Sequence, residues 1–212
     1  MRNIQGAIFD ADGTLLDSMH IWHELGARYL QSINITPEEK LSEILYDMSL
    51  EQGSYYLQNR YKINASLNQI QKSILAIIEN FYVNEVKLKP GVKNFLERFN
   101  IKSVIATSGD KDLLHAALVR NGINDYFAKI FTCSELETDK NEAKIFHECA
   151  KFLNSKPENI IVFEDALFAI RTAKDSGFII AGVQDDSNIN FKSQIMKLSD
   201  YYVTDWGKFY IS

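Results

Sequence analysis

Asp10 and Asp12 stand one residue apart at the end of a short apolar run, Ala7-Ile8-Phe9, and are followed by Gly13 and Thr14. Two carboxylates so placed repel each other unless a proton or a cation sits between them. A hard divalent ion such as Mg²⁺ meets that need, because it prefers oxygen ligands and commonly binds through one or two carboxylates plus a substrate phosphate. Gly13 permits a sharp turn, and Thr14 offers a hydroxyl and an amide to an anion. A second acidic pair, Glu164-Asp165, closes another apolar run, Ile160-Ile161-Val162-Phe163. Adjacent acids where a strand breaks can both reach a cation. Asp165 is the first choice as a direct ligand, with Glu164 a nearby or water-mediated second.

These groups can act together only if the chain carries them to one place. The largely apolar runs at 7–9, 103–106, 127–133, 160–163 and 178–183 are too short for helices and lack helical period. They read as buried strands of an α/β sheet, with Tyr201-Tyr202-Val203 as a last edge strand. In open parallel sheets ligands bind outside the carboxyl ends of the strands, which is where both acidic pairs fall. The 103–106 run ends in Thr107-Ser108-Gly109 before a helix over Lys111–Arg120 that Gly122 terminates. That juncture suits an anion, although Thr107 could equally cap the helix. Lys140 precedes a helical run over Asn141–Cys149, and it could offset several acids and a phosphate with one compact charge.

Between Ser18 and about Tyr82 the pattern turns helical. Asp17 or Ser18 is a plausible cap for a helix over Met19–Leu30, and Thr36-Pro37-Glu38-Glu39 suggests another start with Pro at the first helical position. Ser49-Leu50-Glu51-Gln52 has the form of a capping box, and Asn68–Asn84 continues helically. The aromatics of this region, Tyr55, Tyr56, Tyr61, Phe81 and Tyr82, are expected to fill a helical core. Pro90-Gly91 punctuates the return to strands and helices in alternation. Paired connections near 15–18 and 83–90 would serve as hinges that let a lid close.

Composition narrows the class. The chain has 212 residues, enough for one large domain or a core plus a smaller insert, and 46% hydrophobic with 24% charged residues is ordinary for a globular protein. A net charge of −5 gives no long-range attraction to nucleic acid or an anionic membrane. Cys133 and Cys149 have no metal-site spacing and fit a reducing compartment. The Asp10 stretch begins too early for a signal peptide, and no apolar run approaches a membrane span. A cytoplasmic protein, most simply a monomer, is expected. His20 and His23 share a helix face but lack a third ligand, so packing is expected of them rather than metal binding.

Asp10-x-Asp12-Gly13-Thr14 after an apolar strand resembles the first motif of the haloacid dehalogenase superfamily, in its phosphoryl-transfer branch. Thr107 resembles the second motif, Lys140 the third, and Phe163-Glu164-Asp165 the fourth. The resemblance implies a three-layer, doubly wound, mostly parallel α/β core over residues 1–16 and 87–212, with an all-helical cap inserted at 17–86. It implies Asp10 as the nucleophile that becomes an aspartyl phosphate and Asp12 as general acid/base. Phosphate would be bound by Thr107, Lys140, Ser108, Gly109 and the amides of Ala11 and Asp12, and Mg²⁺ by Asp10, Asp12, Asp165 and Glu164. The dehalogenating members lack the second Asp, so Asp12 argues against that activity. Two departures stand out. The family's usual Lys-Pro-x-Pro-Asp reads Lys140-Asn141-Glu142-Ala143-Lys144 here, which leaves Lys144 as an alternative to Lys140, and Ala166 replaces a usual Ser.

The expected activity is Mg²⁺-dependent hydrolysis of a small phosphate monoester, of the sugar phosphate or nucleotide class, with a β-phosphoglucomutase-type mutase as the alternative. In those mutases a cap Arg helps hold the substrate in two orientations; the resembling stretch, Asp47-Met48-Ser49-Leu50-Glu51, has none.

Overall fold

The computed structural model describes residues 3–45 and 48–211. Six strands, β1 (Gly6–Phe9), β2 (Ser103–Thr107), β3 (Phe127–Thr132), β4 (Ile160–Glu164), β5 (Ile179–Val183) and β6 (Tyr201–Val203), form one sheet in the order β3-β2-β1-β4-β5-β6. Every adjacent pair is parallel. The expected doubly wound α/β sheet is thus present, with β1 at its centre. Because the chain runs outward from β1 to β3 and then crosses back to β4, the switch in strand order falls beside β1.

Side chains alternate across the sheet and set up two unlike layers. On one face Ile8, Val104, Val162 and Ile180 pack with buried residues of helices α7 (Lys144–Leu153), α8 (Leu167–Asp175) and α9 (Lys192–Leu198). On the other face Phe9 and Phe163 stack at 4.4 Å, nearly parallel, and pack with Phe95, Phe99, Trp206 and Phe209. Phe95 lies on α5 (Val92–Arg98). Helix α6 (Lys111–Arg120) follows β2, and its N-cap is Asp110, whose carboxylate accepts the amides of Asp112 and Leu113. Thr107 therefore does not cap that helix.

The chain divides into two compact units, Met1–Ser18 with Val86–Ser212, and Met19–Glu85. In the second unit, α1 (His20–Ser32), α2 (Leu41–Leu45), α3 (Leu50–Tyr61) and α4 (Leu67–Asn80) surround a core of Tyr29, Leu30, Leu41, Leu57, Ile70 and Ile74. The capping box at Ser49 and Gln52 is formed, and Ser66 and Gln69 make another. A turn of π-helix, Phe81–Glu85, continues from α4. His20 and His23 are exposed, His20 lying edge-on to Phe81. Among the described residues no helix is long and apolar enough to cross a membrane.

Three local expectations fail in this unit for identifiable reasons. No helix starts at Pro37: the Glu38 amide bonds Tyr61 Oη, its carboxylate is held by Arg60 and Tyr56, and Lys40 takes a positive φ of 63° before α2 begins. Neither Asp17 nor Ser18 caps α1, whose N-cap is Met19; Ser18 donates its hydroxyl to Asp12 instead. Tyr55 is 59% exposed, whereas Phe81 and Tyr82 are buried and Tyr56 and Tyr61 pack against the core.

In the sheet-bearing unit the outgoing and returning segments are bonded to each other. The Asp17 amide donates to Lys87, the Lys89 amide donates to Leu15, each at 2.9 Å, and Leu16 bridges Leu88 in antiparallel fashion. Two residues on, Gly91 has φ of 84°, and a Cβ there would lie 2.4 Å from the backbone nitrogen of Gly207. Gly91→Ala is accordingly expected to cost about 2 kcal/mol or more, from the left-handed conformation and a clash with main chain that has no rotamer to yield. Urea unfolding measures it, and a loss within error of zero would contradict this account.

Candidate active site

The acids are delivered by strand register. Phe9 pairs with Phe163, and the Asp10 amide donates to the Phe163 carbonyl at 2.9 Å, so the first residue beyond β1 lies beside the last of β4. The stacked rings of Phe9 and Phe163 fix the two strand ends from below. Asp10, Glu164 and Asp165 each offer a carboxylate oxygen within 4.8 Å of the others, and all three are buried. Among the described residues this is the one group of three or more acids, histidines or cysteines so gathered.

One ammonium faces them. Lys140, 3% exposed, donates to Asp10 Oδ1 and to Glu164 Oε2, the latter at 2.8 Å. The helix expected from Asn141 begins at Lys144, because Asp139 accepts the Asn141 amide and shapes a turn first; Lys140 therefore projects from a turn rather than from a helix. Lys144 is exposed and donates to the Leu136 carbonyl. Of the two lysines, the structure brings Lys140 to the acids.

Three carboxylates against one lysine leave an excess of negative charge in a site shielded from water. Burial pushes Glu164 up to about 7, and the nearby charge of Asp10 adds to the rise against the pull of Lys140. Asp165 is raised well above the usual carboxylate range by burial, then by Asp10, Glu164 and Asp185. Burial opposes the charge of Lys140, yet Asp10 and Glu164 outweigh it and hold the ammonium protonated. Asp10 Oδ2 is buried with no hydrogen-bond partner, a state that costs about 1–3 kcal/mol unless a ligand relieves it. An all-oxygen donor set, excess negative charge and an orphaned oxygen fit a hard divalent cation.

The remaining predicted residues flank this trio. Asp12 is not part of it: its Oδ1 accepts from Ser18 at 2.6 Å. Its Oδ2 faces Gly109, where an added Cβ would lie 3.2 Å from both Asp12 Oδ2 and Thr107 Oγ1. Glycine thus keeps open a space that both polar atoms border. Thr107 is buried and its hydroxyl accepts the Gly109 amide at 2.9 Å, so that amide is already engaged. Ser108 is exposed, with its hydroxyl 3.5 Å from Cys133 Sγ. The Ala11 carbonyl accepts from Leu15 and Leu16, closing the turn after β1. Thr14, read as an anion contact, instead donates its hydroxyl to Asp165 Oδ1 at 3.2 Å.

A further group went unread in the sequence. Asn188 donates to Asp165 Oδ2 at 2.8 Å, and Asp185 makes an ion pair of 2.6 Å with Lys89. The signal was a strand end like the others: Gln184-Asp185-Asp186-Ser187-Asn188 follows β5 as Asp10 follows β1.

Comparison with known proteins adds to this geometry. A family profile described as haloacid dehalogenase-like hydrolase matches residues 7–183. A phosphorylated carbohydrates phosphatase of Thermotoga maritima is 25% identical, covering 82% of each chain. A 6-phosphogluconate phosphatase of Escherichia coli is 23% identical, covering 84% of this chain and 81% of its own. Among solved structures, a Thermotoga maritima protein provisionally described as a β-phosphoglucomutase superposes with a TM-score of 0.84 at 24% identity, covering 97% of this chain and 96% of the other. The last likeness concerns the fold.

The raised Glu164 carries a testable sign. With a folded value of about 7 against an ordinary 4.5, proton uptake stabilises the metal-free fold; that stability is complete below the ordinary value and is lost as pH rises through the folded one. Glu164→Gln is therefore expected to be more stable than wild type at about pH 8 in chelator, with the gap closing towards about pH 5. Urea unfolding at the two pH values checks this, and an unchanging gap would contradict it.

Proposed function

As the chain belongs to the haloacid dehalogenase-like hydrolases, we propose that it is a phosphatase that hydrolyses a small phosphate monoester through an aspartyl phosphate, with Mg²⁺ as cofactor. The observation that carries this reading is Asp10, with one oxygen bonded to Lys140 and the other buried without a partner beside two further acids. A carboxylate placed in that way is an accepted nucleophile toward phosphorus.

In this reading Asp10 attacks phosphorus in line and the leaving oxygen departs on the opposite side. Lys140 and the Thr107 hydroxyl stabilise charge on the equatorial oxygens, with the backbone of Ala11 and Asp12 and Ser108 completing the phosphate site, while the Gly109 amide, bonded to Thr107 Oγ1, orients that hydroxyl. Asp12 protonates the leaving group and then takes a proton from the water that attacks the aspartyl phosphate. The Ser18 hydroxyl holds Asp12 by one oxygen so that the other faces the space beside Gly109 and Thr107. Asp10, Asp165 and Glu164, with Asp12 nearby, would hold Mg²⁺, which when bound would supply positive charge against the negative charge on the phosphoryl oxygens.

We read residues 1–16 and 87–212 as the catalytic core and 17–86 as a cap that selects the leaving group. The relatives' names, phosphorylated carbohydrates phosphatase and 6-phosphogluconate phosphatase, support a phosphorylated sugar over a nucleotide. The mutase alternative would need an extra cationic contact from the cap. The stretch expected to supply it, Asp47–Glu51, has no Arg or Lys, and Asp47 lies outside the described residues. Two buried free cysteines accord with a cytoplasmic location.

With Mg²⁺ and an aryl phosphate, purified protein is expected to release phosphate, and to stop when the metal is chelated. Asp10→Asn should lower turnover by about 10³-fold or more while leaving the circular dichroism spectrum unchanged. Turnover near wild type in that variant would reject the assignment. A coupled glucose 6-phosphate assay on β-glucose 1-phosphate separates phosphatase from mutase.

A further inference from the structure

Asp165 is the acid of the trio to which Lys140 donates no hydrogen bond. Its two oxygens are held instead by neutral donors from distant parts of the sequence, Thr14 Oγ1 on Oδ1 and Asn188 Nδ2 on Oδ2. Neutral donors orient a carboxylate without cancelling its charge, which is what a cation ligand requires. The residue after Asp165 gives no such help: Ala166 is the N-cap of α8 and has no side-chain cap bond.

Asn188 lies in the 3₁₀ turn Asp186–Phe191 after β5 and is itself anchored. Its amide donates to the Asp185 carbonyl at 3.2 Å, and its side chain bonds Ser187 Oγ at 3.3 Å. Asp185 Oδ1 accepts from the Ser187 amide at 2.9 Å, and Asp185 Oδ2 pairs with Lys89. Lys89 also donates to the Gln184 carbonyl at 2.9 Å, while its own backbone is bonded to Leu15. The ion pair is 13% exposed on the Lys89 side chain and 6% on that of Asp185, so solvent screens it little.

We propose that Asn188 is a positioning residue for the divalent cation, fixing through Asp165 Oδ2 the lone pairs that this carboxylate turns toward the ion, with the Lys89–Asp185 pair holding Asn188 in place. The proposal rests on the metal reading of the trio given above.

The test is calorimetric titration of Mg²⁺ alone into metal-free wild type and Asn188→Ala, with thermal melts of both in chelator. The expected result is a Mg²⁺ dissociation constant weakened about tenfold or more, an unchanged metal-free melt, and kcat on an aryl phosphate restored by saturating Mg²⁺. A merely structural role would lower the metal-free melt and leave a deficit at every Mg²⁺ concentration. If the alanine variant melts without cooperativity, Asn188→Leu, close in volume and without a donor, carries the same comparison. Mg²⁺ affinity within about twofold of wild type would overturn the proposal, since oriented ligands of this kind usually count for more. Wild type that takes up no Mg²⁺ would overturn the metal reading itself, a different result from wild type and variant binding alike.

Discussion

Three carboxylates buried around a single ammonium are mutually repelled, and the rest of the molecule is built to hold them together. At an effective dielectric of about 20, two like charges some 4 Å apart repel by roughly 4 kcal/mol. Lys140 offsets part of this through its bonds to Asp10 and Glu164, and the raised affinity of Glu164 and Asp165 for protons records what remains. A site in this condition will take any suitable positive charge. Rigid walls are what keep the acids from moving apart, and the three of them could together hold a metal ion.

The walls are strand ends. Because all six strands run the same way, the residues that follow β1, β2, β4 and β5 emerge along one edge of the sheet. The switch in strand order beside β1 leaves room there for a ligand. The ring stack of Phe9 on Phe163 lies one residue before Asp10 and Glu164. Packing of this kind contributes about 0.5–1.5 kcal/mol beyond area, and here it also sets the height and spacing of the two acids. Core packing and chemistry are thus joined at adjacent positions of the same two strands.

Much of this was legible because strand and site share one local signal, an apolar run that stops at a polar residue. Ala7–Phe9 and Ile160–Phe163 announced both the central strands and the acids after them. The parts that were not legible depend on partners far away in sequence. Pro37 sits well for a helix start until Tyr61, Tyr56 and Arg60 claim Glu38. Ser18 looks like a cap until Asp12 takes its hydroxyl. Lys140 and Lys144 are alike in type and near in sequence, and only the turn made by Asp139 separates an inward ammonium from an outward one. Asn188 follows a strand end as the acids do, but its partner Asp165 lies 23 residues earlier and the Lys89–Asp185 ion pair beside it joins still more distant positions, so no local pattern shows the contact.

The antiparallel bridge of Leu16 with Leu88 has an evolutionary corollary. The polypeptide departs from the sheet-bearing unit and re-enters it at neighbouring points, bonded to each other through main-chain groups. A lineage using this scaffold can therefore lengthen, shorten or exchange the intervening segment while the pairing of the six strands is kept.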